Sequence, residues 1–186
     1  MSVNRNLQQW ANVAVNAAMR SPCRSKRGVV VVGPTGSLIA TGHNDQPYPF
    51  KCDGSEACKK NCGKTAIHAE QSAIMQALAS TREIPRGTSM LHVKAQDGKA
   101  CASMAPSCLE CSKLILASGI SWMHLLHHPS AQMLPGAEVV AYVDGIDGPL
   151  QVRCYSAQHF HWLTAEHYHR IDLRILDGGM EELKNG

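Results

Sequence analysis

Two short stretches of this sequence carry side chains suited to chemistry. One is His68-Ala69-Glu70; the other, Pro106-Ser107-Cys108-Leu109-Glu110-Cys111, lies forty positions on, counted from 68 to 108. Two thiolates and one imidazole make three corners of a tetrahedral zinc site, and the open corner takes water. That is the arrangement of a catalytic zinc, since a structural site is closed by a fourth protein ligand. Cys108 and Cys111 are three apart, so on a helix their thiols share one face. Glu70 is better suited to carrying protons than to serving as the fourth ligand. A carboxylate beside a metal-activated water can take its proton and pass it on, a transfer worth roughly 10²–10⁴ in rate. The competing readings of His68, Glu70, Cys108 and Cys111 are a structural zinc and chance spacing.

This chemistry asks for a helix start at each motif. The positive end of a helix favours thiolate over thiol and offers unpaired backbone N–H groups. His68 and Glu70, two apart, reach one metal together only from a first turn aimed end-on at it. Apolar spacing predicts a helix over 65–78, with Thr65 as its cap and Ile67, Ile74, Met75 and Leu78 on one stripe. A second is predicted over 107–117, ended by Gly119. Upstream, Leu7 to Met19 reads as a first helix, and Gly28–Val32 and Leu38–Gly42 flank the turn Pro34-Thr35-Gly36 as a hairpin. Further strands are expected at 90–94 and 120–126, and strands alternating with helices indicate a layered α/β sheet. Beyond residue 130, 139–143 and 150–154 read as a hairpin about a Gly/Asp turn, 156–170 as a helix and 171–176 as a last strand. The chain reads as one domain over 1–186, with a core at about 7–130 and a C-terminal elaboration at about 131–186.

The composition frames these motifs. In 186 residues there are eight Cys and ten His, against only 5% aromatics, and the net charge is +3. No run approaches the roughly 18 apolar residues of a membrane span, and the N-terminus lacks the charged-then-apolar order of a secretory signal. The expectation is a cytoplasmic protein, where thiols stay reduced and clustered cysteines bind metal or do chemistry. Neither membrane nor nucleic acid is an expected partner: the charge excess is small and no aromatics are grouped for base stacking.

Cys52, Cys58 and Cys62 sit in a polar stretch of about twenty residues, a length uncommon without a function or a metal. With Cys23 they could form a second, structural zinc site; the alternative is a set of unliganded thiols. His43, beside Asn44, is a candidate for lining a pocket or an ordinary turn residue. Arg20, Arg24, Lys26 and Arg27 read as a solvated basic turn, with contact to a phosphate as the alternative. His159, His161, His167 and His169 are expected to be ordinary histidines, because i,i+2 pairs do not share a helix face.

The paired motifs resemble the H-x-E…P-C-x-x-C signature of zinc deaminases of nucleobases. The chain is identified as a member of the cytidine deaminase superfamily, most similar to the deoxycytidylate (dCMP) deaminase branch. Ser21-Pro22-Cys23 before Gly28-Val29-Val30-Val31 resembles that branch's S-x-C element. Gly42-His43-Asn44-Asp45-Gln46-Pro47 resembles its G-Y-N-G-x-P turn, and His68-Ala69-Glu70-Gln71-Ser72-Ala73-Ile74 its H-A-E-x-N-A-I. Ser107 departs from the pattern by separating Pro106 from Cys108; His43, Asp45 and Ser72 replace Tyr, Gly and Asn.

The resemblance implies that His68, Cys108 and Cys111 hold one catalytic zinc and that Glu70 shuttles protons. It implies that Asn44 contacts the substrate sugar and that the Ala69 backbone helps hold the base. Some members of the branch carry a second zinc near the first. The implied fold is a three-layer α/β/α sandwich around a five-stranded mixed, mostly parallel sheet, commonly in a homo-oligomer. The implied reaction deaminates a small-molecule cytosine nucleotide, dCMP or a close relative, to the uracil nucleotide and ammonia. The alternatives are deamination of a nucleoside, a free base or single-stranded nucleic acid, and a non-catalytic zinc-binding protein of the same fold. Glu70 speaks against the last.

Overall fold

Four consecutive valines, Val29, Val30, Val31 and Val32, are all buried. Successive side chains of a strand point to opposite faces, so this strand must be covered on both. The computed structural model describes residues 3–56, 58, 62, 65–103, 107–167 and 169, and the covering elements are helices. In chain order the elements are α1 (Val3–Met19), β1 (Lys26–Val32), β2 (Leu38–His43), α2 (Ala69–Thr81), β3 (Ser89–Gln96) and β4 (Lys99–Cys101). Then follow α3 (Leu109–Ala117), β5 (Trp122–His127), β6 (Glu138–Gly145) and β7 (Gly148–Ser156), and residues 157–167 are helical. On one face Ala11, Ala14 and Ala18 of α1 join Val30, Val32, Leu91, Val93 and Leu126. On the other, Ala73, Ile74 and Ala77 of α2, Ile115 of α3 and Phe160 join Val29, Val31, Met90, Met123 and Leu125. The result is the expected mixed sheet between helical layers, and residues beyond 130 share its core through Tyr155, Phe160 and Leu163.

The sheet has seven strands rather than five, in the order β2-β1-β3-β4-β6-β7-β5, with β3 also paired to β5. It is mostly antiparallel: only β3–β5 and β4–β6 run parallel. Turn chemistry explains the difference. Asp97 and Gly98 both have positive φ, which turns β3 straight back into β4. Gly145 pairs with Gly148 at the tip of the β6–β7 hairpin. Such tight turns can only return antiparallel, whereas the parallel pair β3–β5 needs a crossover, which α3 supplies. The expected strand at 171–176 lies outside the described residues.

α2 starts later than its sequence suggests. Ile67 is bridged to Asp45, with N···O distances of 2.8 and 3.1 Å, so the helix begins only after His68, and His68 takes the capping position expected of Thr65. The predicted apolar stripe also turns: Met75 is 52% exposed, and the buried face is Ala69, Glu70, Ala73, Ile74 and Ala77. Gly42 sets that face. A Cβ there would overlap Ala69 O and Ala73 N and lie 2.8 Å from Ala73 Cβ, so only glycine lets α2 lie this close to β2. Replacing Gly42 with Ala is expected to cost about 1–3 kcal/mol by the usual penalty of overpacking, read from urea unfolding, with loss of bound metal at lower urea than in the parent.

Beside the core lies a buried polar group. Arg153 is 1% exposed and donates to Ala131 O and Gln132 O at 2.6 and 2.7 Å and to Gln151 Oε1. His127 Nε2 lies 3.3 Å from Tyr155 Oη. Burial, helped by the Arg153 charge, holds His127 down at about 4. Between that value and the ordinary 6.5 the unfolded chain binds a proton that the folded chain refuses, so stability falls as pH drops through this window. Lowering the pH from about 7 to 5 is expected to cost roughly 2 kcal/mol through this residue. Urea titrations should show a shallower pH slope in His127→Gln.

Candidate metal centre

The two motifs meet at the starts of α2 and α3. His68 caps α2, its N–H donating to Gln71 Oε1 at 2.9 Å, and Glu70 lies in the first turn. Cys108 caps α3, with its Sγ accepting from the Cys111 N–H at 3.3 Å. His68 Nδ1 lies 3.2 Å from each of the Cys108 and Cys111 sulfurs, which are 3.1 Å apart. Tetrahedral zinc, at about 2.3 Å from sulfur and 2.0 Å from nitrogen, holds such atoms roughly 3.5–3.8 Å apart. The triangle therefore fits zinc after its nitrogen–sulfur edges open by about 0.3 Å and its sulfur–sulfur edge by about 0.7 Å. Its donor set, soft thiolates with imidazole, is the kind zinc takes.

The electrostatics suit a cation. The Cys111 thiol and backbone N–H, with His68, draw Cys108 down to about 5, while the Cys108 thiolate and burial hold Cys111 up. His68 is raised, first by Cys108. One proton thus leaves readily and the second is held by the first thiolate's charge, a repulsion that a divalent cation removes.

Glu70 is 4% exposed. Ser107 donates its hydroxyl to Glu70 Oε1, and His92 Nε2 stands 4.0 Å from the same oxygen. Burial alone would push the Glu70 carboxyl up; His92, the Ser107 hydroxyl, its own backbone N–H and His68 overcome this and bring it below the usual range. Burial, with Arg27 and His68, lowers His92. Burial lowers Arg27, with the charge of Glu70 acting against it.

A second set of thiols lies at the loop. Cys52, Cys58 and Cys62 have sulfurs 3.2–3.6 Å apart, and Cys23, Cys52 and Cys62 have theirs within 4.8 Å of one another. Gln46 donates to Cys62 Sγ at 2.9 Å and accepts from the Thr65 hydroxyl. Burial and the adjoining Cys58 and Cys52 thiols push Cys62 up to about 12, while Cys58 and the Gly54 backbone lower Cys52. Burial raises Cys23. Among the described residues, this set and the His68 set are the groups of three or more His, Cys, Asp or Glu side chains close enough to hold one metal ion.

The other expected residues have the following partners. The Asn44 amide ties β1 to β2, accepting from Arg27 N and donating to Ser25 O, both at 2.8 Å. His43 Nδ1 is buried without a partner among the described residues. Ala69 is the first residue of α2, where N–H groups have no intrahelical partner. The basic cluster is dispersed within the fold: Arg20 donates to Thr41, Arg24 pairs with Glu56 and Lys26 donates to Ser21 O. His159 meets Pro135 O, and His161 meets Ser112 Oγ at 2.9 Å; both line a groove with Trp162 and Leu116. Pro106 lies outside the described residues. His92, the Ser107 hydrogen bond to Glu70 and the electrostatic link of Arg27 to Glu70 escaped sequence reasoning. One signal was available for His92: it is the polar residue in the apolar run Met90-Leu91-His92-Val93.

A layered α/β sheet here brings two helix N-termini together, with an imidazole, two thiols and a buried carboxylate, a donor set able to hold a metal ion. The description "cytidine and deoxycytidylate deaminase zinc-binding region" matches residues 4–126, and the chain belongs to this family. Among solved structures, the dCMP deaminase of the cyanophage S-TIM5 in its apo form is 25% identical, over 61% of this chain and 75% of that one, with a TM-score of 0.46. The same enzyme in complex with dCMP and dUMP is 26% identical over 63% of this chain and 75% of that one, with a TM-score of 0.45. The cytidine deaminase of Mycobacterium leprae is 18% identical over 78% of this chain and 92% of that one, with a TM-score of 0.43. No curated protein matches the chain significantly.

Replacing Cys111 with Ser is expected to remove one zinc ion per chain, measured by elemental analysis of the purified protein, with the circular-dichroism spectrum retained.

Proposed function

We propose that this protein hydrolytically deaminates a small cytosine nucleotide, dCMP or a close relative, to the uracil nucleotide and ammonia. The observation that carries the reading is Glu70, a buried carboxylate in the first turn of α2, immediately beside a triangle of zinc-type ligands. His68, Cys108 and Cys111 would hold the ion. A zinc bound there supplies Lewis acidity, lowering the pKa of a coordinated water towards 7. Glu70 takes the proton of the attacking water as the new C–O bond forms at C4, and gives that proton to ring N3. The second proton of that oxygen follows the same route to the exocyclic amine. The C4–N bond then breaks, ammonia leaves and a carbonyl remains.

Asn44 retains a second amide N–H and a second lone pair for a sugar hydroxyl. The Ala69 backbone holds the base edge, and His43, kept below its ordinary pKa by burial and Arg20, lines the pocket as a neutral ring. Cys23, Cys52, Cys58 and Cys62 supply four thiolates, a closed structural set for a second zinc that ties the loop to the start of β1. A homo-oligomer is part of this reading by family resemblance.

A second reading, deamination within a single-stranded polynucleotide, draws on Tyr48 and Phe50. They are 97% and 67% exposed on the loop that follows Asn44, and exposed rings can stack bases. No helix among the described residues is long and apolar enough to cross a membrane.

Ammonia release from dCMP, CMP, deoxycytidine and single-stranded DNA separates the readings, with dCMP or CMP expected to be turned over fastest. In Glu70→Gln the rate is expected to fall at least 10²–10⁴-fold, the usual worth of general acid–base catalysis; full activity in that variant would overturn the mechanism. Cys58→Ser is expected to lower the zinc content from about two ions to one per chain by elemental analysis.

A further inference from the structure

Two residues beside Glu70 are left without a role by the deaminase reading. Ser107 is the residue by which this chain departs from the family's P-C-x-x-C spacing. It is 8% exposed, and its hydroxyl, which could have capped α3, donates instead across to Glu70 Oε1 on α2. The capping position of α3 is filled by Cys108. His92 reaches the same oxygen from the sheet. It is 7% exposed, its Nε2 is 4.0 Å from Glu70 Oε1, and its Nδ1 is buried without a partner among the described residues. Its cross-strand neighbours in β1 and β5 are Val29 and Leu125, so a polar ring stands here in an apolar row.

The Ser107 hydrogen bond and the His92 ring, 4.0 Å away, fall on one oxygen. A carboxylate oxygen that accepts a hydroxyl proton donor is the weaker base of the two, so an added proton goes to the other. Fixing one oxygen also fixes the carboxylate plane, which a base must hold to meet its proton at hydrogen-bond distance. We propose that Ser107 and His92 are positioning residues that hold Glu70 Oε1, making Oε2 the oxygen that carries the proton between water and substrate. The inference rests on the deaminase reading of Glu70, and its test must separate the two.

Kinetics and crystallography together do so. In zinc-loaded Ser107→Ala, kcat for dCMP is expected to fall roughly 10–100-fold, the worth of one hydrogen bond to a charged group. KM should stay within about twofold of the parent and zinc content should be unchanged, because the hydroxyl touches neither substrate nor metal ligand. Ser107→Thr, which keeps the hydroxyl, is expected to recover most of the lost rate, and His92→Phe to lower kcat in the same pattern. A change of less than twofold in Ser107→Ala, or a loss of zinc in step with activity, would overturn the proposal. Crystal structures of the zinc-loaded parent and Ser107→Ala decide the positioning even if no cytosine compound is turned over. The Glu70 carboxylate should rotate in the variant, and an unmoved carboxylate overturns the positioning role whatever the substrate proves to be.

Discussion

Three ligand atoms lie within about 3.2 Å of one another only because two helices start at the same point in space. The parallel pairing of β3 with β5 imposes this. α2 feeds β3 and α3 feeds β5. A helix that leads back into a strand runs opposite to it, so helices feeding parallel strands both begin beside the strands' carboxyl ends. That edge of a sheet is the general place for ligand sites in open α/β folds. The remaining precision comes from close packing. Gly42 admits the first turn of α2 against β2, and the Asp45–Ile67 bridge stops the helix from starting sooner. His68 is thereby fixed as the cap, and Glu70 is turned inward.

The same edge gathers charge that water would otherwise solvate. Glu70 and His92 are buried 4.0 Å apart, with Arg27 and His68 within electrostatic reach. A buried carboxylate without partners would take up a proton; here His92, Ser107 and His68 keep it in the charged form. The Cys111 thiol, His68 and the Cys111 backbone N–H make Cys108 acidic, and the helix N-termini favour negative charge at the thiols. Metal affinity and proton transfer thus draw on one local field, and a change in either ligand helix disturbs both.

The cysteine loop extends the arrangement outward. Asn44 joins β1 to β2, Asp45 bridges to Ile67, and Gln46 reaches Cys62 and Thr65. Three consecutive residues therefore connect the end of β2, the start of α2 and the second thiol cluster. A metal closing that cluster would brace the segment that precedes His68, which gives the loop cysteines a mechanical link to the centre 3.2 Å across.

Much of the site was legible because its chemistry is local in sequence. The ligand types at 68, 108 and 111, the carboxylate at 70 and the four loop and turn cysteines are separated by spacings that helix starts and metal geometry require. The hairpins at β1–β2 and β6–β7 were equally readable from their turn residues. Other features depended on contacts remote in the chain. Nothing near Thr65 reveals that Ile67 will be bridged to Asp45 and move the cap to His68. The exposure of Met75 follows from where Gly42 lets α2 lie, and the mostly antiparallel seven-stranded sheet follows from which strands meet across the hairpins. Ser107 read as a departure from a motif until folding set its hydroxyl on Glu70, and Arg27 as one charge in a basic turn until folding brought it within electrostatic reach of that carboxylate. The amino-acid sequence by itself determined the donor atoms and their local periodicity. Only the tertiary structure decided which of them share a low-dielectric neighbourhood, because burial and through-space charge depend on distance and not on position along the chain.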